Sequence, residues 1–566
     1  MHWKMLHLKR LTILLILAAF SCKNKEQPLT SVNTWYKNIL IYNLDVKTFK
    51  DSDGDGKGDF KGLTEKLGYL DSLGVDMIWL APFQPSPEQD DGYDVTDYYT
   101  INQRLGSFKD FENFIGEAKK RHIKVIVDLI LNHTSIQHPW YIESSHNPKS
   151  DKHNWYLWAK DRPHDWDKGM GFPGVEKETW RYNSSAHEYY FHRFYNFEPD
   201  LNYQNPQVIA EAKKIMGFWL SIGVDGFRLD AVPFIIADPR TSTQKPKQDY
   251  AILHELTGYV KKHYPNALLI GEANISADED KKYFEGKHYG LQMMFNFYAN
   301  QYLFYALASG NEKPLQKALD ETRPKPPAAQ WAYFLRNHDE VDLGRLSKHD
   351  RNEVFSKFGP DSSMQLYQRG IRRRLAPMLC NDIQRLKMAY SLLFSLPGTP
   401  VIRYGEEIGM GDNLGLQERL AIRTPMQWDT SANGGFSKAF SVFRDVIRRG
   451  QYKYRKVNVL NEENDPQSLL NFIKMLTRLR KKCPEIGYAN WNILDSGSDH
   501  VLAMRYNLDG RQLLILHNFS DAPQKVNIKL EKNSNDQFTD LITNQPGSLK
   551  DLKIGRYGYK WCKLGH

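Results

Sequence analysis

Helix-period stripes alternating with short apolar runs, eight such runs along the chain, and a switch past about residue 488 to short alternating strands together predict the fold class. It is α/β: a (β/α)8 TIM barrel with an inserted subdomain after strand 3 and a C-terminal antiparallel β-sandwich.

The elements follow in chain order. Residues 1–22 begin with Lys4, Lys9 and Arg10, continue through a mostly apolar Leu11 to Phe20, and end on Ser21-Cys22. That is the layout of an export signal, with an apolar stretch too short to span a bilayer. A cysteine at the cleavage point resembles a bacterial lipobox, so we expect a cell-envelope lipoprotein held to the membrane only through a lipid on Cys22. Residues 23–34 are polar and read as a tether. The barrel is expected over 35–133 and 200–487, with strands ending near Ile41, Leu80, Asp128, Leu229, Ile270, Phe295, Leu335 and Tyr404. Leu63, Leu67, Leu70 and Leu73 keep helical spacing before the strand Val75 to Leu80. Phe108, Phe111, Phe114, Ile115 and Ala118 repeat that stripe behind Ser107, an expected N-cap, and the buried strand KVIVDLIL follows. The long, aromatic and glycine-rich interval after Asp128 is read as an inserted subdomain at 134–199. Its Trp140, Trp155, Trp158 and Trp180 suit the packing of a small subdomain better than a ligand-stacking platform. In the C-terminal domain, 488–566, Asp509-Gly510 signals a tight hairpin.

Composition narrows the function. The chain carries a formal charge of +9, and loss of the three cations in 1–22 leaves +6, too mild an excess to imply an acidic partner. The densest cluster, Arg372-Arg373-Arg374, lies in a mixed pattern, and no nucleic-acid partner is expected. Beyond Cys22, only Cys380, Cys483 and Cys562 remain, too few and scattered for a disulfide framework or a CxxC metal site.

Three carboxylates carry the chemistry. Asp230 in GVDGFRLD, Glu272 in ALLIGEA and Asp339 in AYFLRNHDE each follow an apolar strand-length run. In a parallel barrel the strand ends open onto one face, so these three meet in one site. Carboxyls gathered in a cleft push their pKa values apart, and one stays ionised while another keeps its proton. Arg228 shares a strand face with Asp230 and would hold it ionised. Separately, Asp51, Asp53, Asp55, Lys57 (through its carbonyl) and Asp59 alternate along a glycine-rich loop suited to a hard cation, with Ca2+ as the natural ion. An EF-hand would have Glu where Gly62 stands, so the loop only looks like that motif.

The motifs together place the chain close to a known family. VDLILNH (Asp128, Asn132, His133), GFRLD, GEA, NHD (Asn337, His338, Asp339) and EPDLNYQNP resemble the signatures of the α-amylase superfamily, glycoside hydrolase family 13. The resemblance implies that Asp230 is the nucleophile, Glu272 the acid/base and Asp339 the carboxylate that braces the sugar hydroxyls. It implies that Asp90, Tyr93, His133, Arg228 and His338 serve the reacting glucose, with Arg423 a further candidate, and that Asp128 orders the strand ends. Several members bind Ca2+ with the same loop, as a structural ion, and no organic cofactor is implied. Within the superfamily, stretches such as GIRRRLAP, RTPMQW and YGYKW resemble its trehalose-synthase branch, which turns maltose into trehalose through a glucosyl-enzyme intermediate. The substrate implied is a small α-glucoside, maltose or a short malto-oligosaccharide. That branch has Tyr where this chain has Phe234, Glu where it has Gly344, and YYG where it reads Arg403-Tyr404-Gly405; Glu340 is kept. The first two changes would loosen the pocket, so an α-glucosidase or small-oligosaccharide α-amylase is the alternative. A non-catalytic glucan-binding lipoprotein is the third reading, opposed by three intact carboxylates.

Overall fold

Eight parallel strands close on themselves: β1 Ile41–Leu44, β2 Met77–Leu80, β3 Lys124–Leu129, β4 Gly226–Leu229, β5 Leu268–Gly271, β6 Met293–Phe295, β7 Gln330–Phe334 and β8 Thr399–Arg403. Each pairs with its chain neighbours, and Ile41 pairs with both Met77 and Val401, which completes the ring. The computed structural model describes residues 34–284, 290–530 and 536–565. The expected signal, Cys22 and nearly all of the tether lie outside the described residues. No helix among those described is long and apolar enough to cross a membrane.

Strand periodicity builds the interior. Ile41, Met77, Trp79, Ile126, Leu268, Ile270, Met293, Phe295, Ala332, Phe334 and Val401 point inward and form their own core. Two residues further along four strands, the inward positions turn polar: Asn43, Asp128, Arg228 and Arg403, all buried. The barrel is therefore an apolar plug with a charged layer at its carboxyl end. Gly226 permits this at β4, because its backbone has φ 151 and a Cβ there would collide with the Leu268 carbonyl.

The predicted strands fall where expected, except that β1 begins at Ile41 and runs on to Leu44. The helix after Ser107 spans Phe108–Lys120 and is capped by a reciprocal Ser107–Asp110 box. The Leu63 to Leu73 stripe is two helices, Phe60–Glu65 and Leu67–Leu73, broken at Lys66, whose ammonium lies 4.2 Å over the Trp428 ring. Between β3 and β4 the chain makes a three-stranded sheet, Trp158–Ala159, Trp180–Asn183 and Glu188–Phe191. Trp155 and Trp180 are buried there.

A second insertion went unread: Val341–Asp342, Gln365–Leu366 and Gly370–Ile371 form a small sheet between β7 and β8, around the helix Lys348–Phe358. The C-terminal domain is a six-stranded antiparallel sheet, with Asp509 and Gly510 in left-handed conformations at its hairpin. One face, including Met504, Ile515 and Trp561, joins the core outside the barrel. The other is covered by only a thin layer around the two-stranded sheet Gln524–Lys525 and Lys553–Ile554. The Arg372–Arg374 cluster is spent internally: Arg374 pairs with Glu406 at 3.1 Å, Arg373 with Asp412 at 3.0 Å, and Arg372 donates to backbone carbonyls. Cys380, Cys483 and Cys562 are all free thiols.

Candidate active site

The charged layer opens into a cavity of about 540 Å³ at the carboxyl ends of the strands. Asp230 follows β4, Glu272 follows β5 and Asp339 lies on the loop after β7; all three line it. The sequence places each acid one to five residues past a buried strand, and barrel closure brings them together.

Arg228, fully enclosed, organises them. Its Nη1 stands 2.6 Å from Asp128 Oδ1 and 2.5 Å from Asp230 Oδ1, and its Nη2 is 2.8 Å from Glu272 Oε2. The Ala231 amide donates to the same Glu272 oxygen at 3.0 Å. Burial raises Asp230 to about 6, against the opposing pull of Arg228. Burial and the neighbouring Asp230 and Asp339 charges raise Glu272 to about 7, again against Arg228. Asp339 goes the other way: burial would lift it, but His338, Arg419 and Arg423 hold it well below the usual carboxylate range. One acid thus holds a proton most readily, and another is always charged.

One end of the cavity is a tight polar wall. His338 Nε2 is 2.9 Å from Asp339 Oδ2, and its ring stacks on Tyr93 at 5.5 Å. The Tyr93 hydroxyl donates to Asp128 at 3.0 Å, and the Trp79 indole reaches the same carboxylate at 3.3 Å. Asp128 sits below the cavity lining, held by Arg228, Tyr93 and Trp79. Burial lowers His133 to about 3 and His338 to about 4, so both imidazoles are neutral. His133 Nε2 is buried without a protein partner, on a residue that lines the cavity. That atom lies 3.9 Å from Glu198 Oε1, which is also buried without a hydrogen bond.

Of the expected pocket residues, Asp90, Tyr93, His133 and His338 line the cavity, while Arg228 lies beneath its floor. Arg423 stands behind the wall. It reaches Asp91 at 3.0 Å, Asp339 at 3.2 Å and the His338 carbonyl at 2.9 Å, and acts on the site through them. Beside Asp339 the arginine that enters the lining is Arg419, unread in the sequence although it lies four positions before Arg423. It bridges Asp90 at 2.5 Å and Asp339 at 2.9 Å. The rest of the lining comes from the two insertions and loops, including Phe172, Phe194, Asn274, Arg345 and Arg369. Phe234 and Gly344 also line it. Phe234 packs edge-on to Phe194 and under the Arg193 guanidinium, and Gly344 lies against Asp342 and Arg369. Arg369 pairs with Asp342 at 2.8 Å and donates to the Gly171 carbonyl at 3.0 Å.

Away from the cavity, the aspartate loop gathers some of its expected ligands. Carboxylate oxygens of Asp51, Asp53 and Asp59 lie within 4.8 Å of one another. Asp55 is outside that group and accepts from the Lys57 amide at 2.7 Å; Lys57, expected to ligate through its carbonyl, pairs its ammonium with Glu88. The Asp55 amide favours a charged Asp53, but burial and the Asp55, Asp59 and Asp51 charges raise its pKa overall. That crowding of hard oxygen donors fits a divalent cation such as Ca2+.

The sequence pattern of the α-amylase catalytic domain matches residues 43–489. A trehalose synthase of Thermus thermophilus is 39% identical over 536 residues, 93% of this chain and 55% of that protein, so the chain spans just over half of that relative. A trehalose synthase/amylase of Mycobacterium tuberculosis is 35% identical over 541 residues, 94% of this chain and 89% of the relative. The crystal structure of Bacillus licheniformis trehalose-6-phosphate hydrolase superposes with a TM-score of 0.77 at 26% identity, over 94% of this chain and all of that one.

Proposed function

This chain belongs to the α-amylase catalytic-domain family, and on that premise we propose that it is a retaining, glucosyl-transferring enzyme that interconverts maltose and trehalose. The observation that carries the reading is one guanidinium, Arg228, bound to both Asp230 and Glu272 at the floor of the cavity. That bridge favours the separation of about 5–5.5 Å used by retaining glycosidases over the wider gap of inverting ones.

In the reaction, Asp339 and His338 hold the hydroxyls of the reacting glucose. Glu272 gives its proton to the bridging oxygen as the C1–O bond breaks, and Asp230 forms a bond to C1. The freed glucose turns within the cavity and presents its anomeric hydroxyl. That oxygen attacks C1, its proton passes to Glu272, and the Asp230–C1 bond breaks. Water attacking in its place releases two glucoses. The relatives named as trehalose synthases support the isomerase. Phe234 and Gly344 support some hydrolysis beside it, because the lining lacks a phenol and a carboxylate there, each worth about 1–3 kcal/mol when buried and bonded.

The first experiment follows the anomeric protons of maltose by NMR in the presence of the protein lacking residues 1–22. Trehalose as the main product supports the proposal; glucose alone assigns a hydrolase. Asp230→Asn should abolish both, and turnover that survives it sinks the site assignment.

Ca2+ is proposed for the loop of Asp51, Asp53 and Asp59, where it would pin the segment after β1 and take no part in bond breaking. An exported lipoprotein is proposed from the sequence of 1–22 alone, and incorporation of labelled palmitate, lost in Cys22→Ser, is its test.

A further inference from the structure

Three segments far apart in sequence meet on a single carboxylate beside the cavity. Glu418 Oε2 accepts from the Tyr367 hydroxyl at 2.8 Å and from the Tyr195 hydroxyl, and the two hydroxyls are 3.2 Å apart. Tyr195 ends the first insertion, Tyr367 lies in the second, and Glu418 lies in the segment after β8. Phe172, which lines the cavity, packs on both phenols, with ring centroids at 4.6 Å from Tyr367 and 4.7 Å from Tyr195. Its ring also faces the Arg419 guanidinium at 4.7 Å.

The node is held under constraint. Glu418 has φ 39 and Tyr367 φ 52, left-handed conformations that side chains of this kind adopt only when their surroundings impose them. Arg372 imposes one: it donates to the carbonyls of Leu414 at 2.6 Å, Leu416 at 2.9 Å and Glu418 at 3.0 Å. Burial pushes both phenols far above their ordinary pKa, so they remain donors. Adjacent residues thus face opposite ways, Arg419 to Asp90 and Asp339, and Glu418 to the two insertions.

We propose that Glu418 is a positioning residue: by tying the two insertions together it keeps the Phe172 wall of the cavity closed, and so sets how the glucosyl group divides between a sugar and water. This rests on the glucosyl-transfer reading above. Sugar and water attack by the same balanced step, forming a C1–O bond, releasing Asp230 and passing one proton to Glu272. What differs is which hydroxyl is present while the intermediate lasts, and that is a matter of closure. The insertions also meet through Arg369 to the Gly171 carbonyl and Phe172 on Tyr367, and the two hydrogen bonds to Glu418 are the part of that contact a single substitution removes.

The test compares the otherwise intact protein with Glu418→Gln and Tyr367→Phe, measuring hydrogen exchange around 170–172 and 193–197 and the products from maltose. In both variants exchange in those segments should quicken by about tenfold, and the ratio of glucose to trehalose should rise by about fivefold. Unchanged exchange overturns the tie, whatever the products are. Faster exchange with an unchanged ratio overturns its control of partition. A parent protein that makes no trehalose overturns the glucosyl-transfer reading instead, and exchange still decides the tie. If Glu418→Gln does not fold, Tyr195→Phe, which removes one donor, takes its place.

Discussion

Nη1 of Arg228 lies 2.5 Å from Oδ1 of Asp230, and nothing else in the floor offers that carboxyl a positive charge so close. Arg228→Gln would leave Asp230, Asp128 and Glu272 as buried acids without their shared cation. Turnover at neutral pH should fall by about 100-fold or more, and the acid limb of the pH profile should move upward. Unaltered kcat with an unmoved limb would remove Arg228 from the mechanism.

The pH profile of the parent protein follows from two signs. Asp230, lifted by burial to about 6, must be ionised to attack, so activity is lost as pH falls through that value. Glu272, lifted by burial to about 7, must keep its proton to release the leaving sugar, so activity is lost as pH rises past it. The expected profile of kcat/KM is a narrow bell between them, and a flat profile reaching well into alkaline pH contradicts the assignment of Glu272.

Phe234 stands in the cavity lining where a phenol would bring one more hydrogen-bonding group. Phe234→Tyr should raise the trehalose share of the products by a few fold, an effect of about 1 kcal/mol. NMR of the product mixture measures it, and a share that falls would mean that the added hydroxyl finds no partner in the cavity.

Chelation should lower the midpoint of thermal unfolding by a few degrees, because an ion bound only to the folded chain stabilises it by about 2.7 kcal/mol at a hundred times its Kd. Asp53→Asn should remove that dependence while kcat is kept, since the Asp51, Asp53 and Asp59 group lies apart from the cavity lining. Calorimetry with and without Ca2+ decides it.

Arg403 answers a different question, that of stability inside the barrel. Both it and Asp45 are buried, 2.6 Å apart, and Arg403 also donates to Asn43 at 2.8 Å. Burial alone would lift Asp45, and Arg403 holds it down. Arg403→Ala should cost about 3–5 kcal/mol in urea unfolding by leaving Asp45 uncompensated.

Much of this architecture could be read in the sequence because the signals were local. Runs such as KVIVDLIL are apolar on both faces, as a strand between a plug and a ring of helices must be, and the three acids sit just past such runs. What escaped was set by tertiary reach. Tyr367 and Arg369 lie in an irregular segment and Glu418 opens a single short turn, too little for a helical or strand period, and their part in the wall depends on which insertion folds over which. Arg419 and Arg423 lie in one motif-like run, and sequence could not say which would turn to the cavity and which would lock behind it. The 3₁₀ turn Glu418–Ile422 between them decides that. The second insertion was hidden because its strands are two residues each, too short to alternate.

The ring is joined where β1 meets β8, through Ile41 to Val401, so its first and last strands are partners across most of the chain. Until Thr399–Arg403 exists and docks, β1 and β7 are bare edges of an open sheet, with peptide groups facing outward. Folding of the barrel is therefore a late, non-local event, slow by the usual relation between sequence separation and rate. A chain interrupted anywhere before β8 would present two sticky parallel edges and associate with its own kind. The same seam means that a nascent chain stays extensible until most of it has been made.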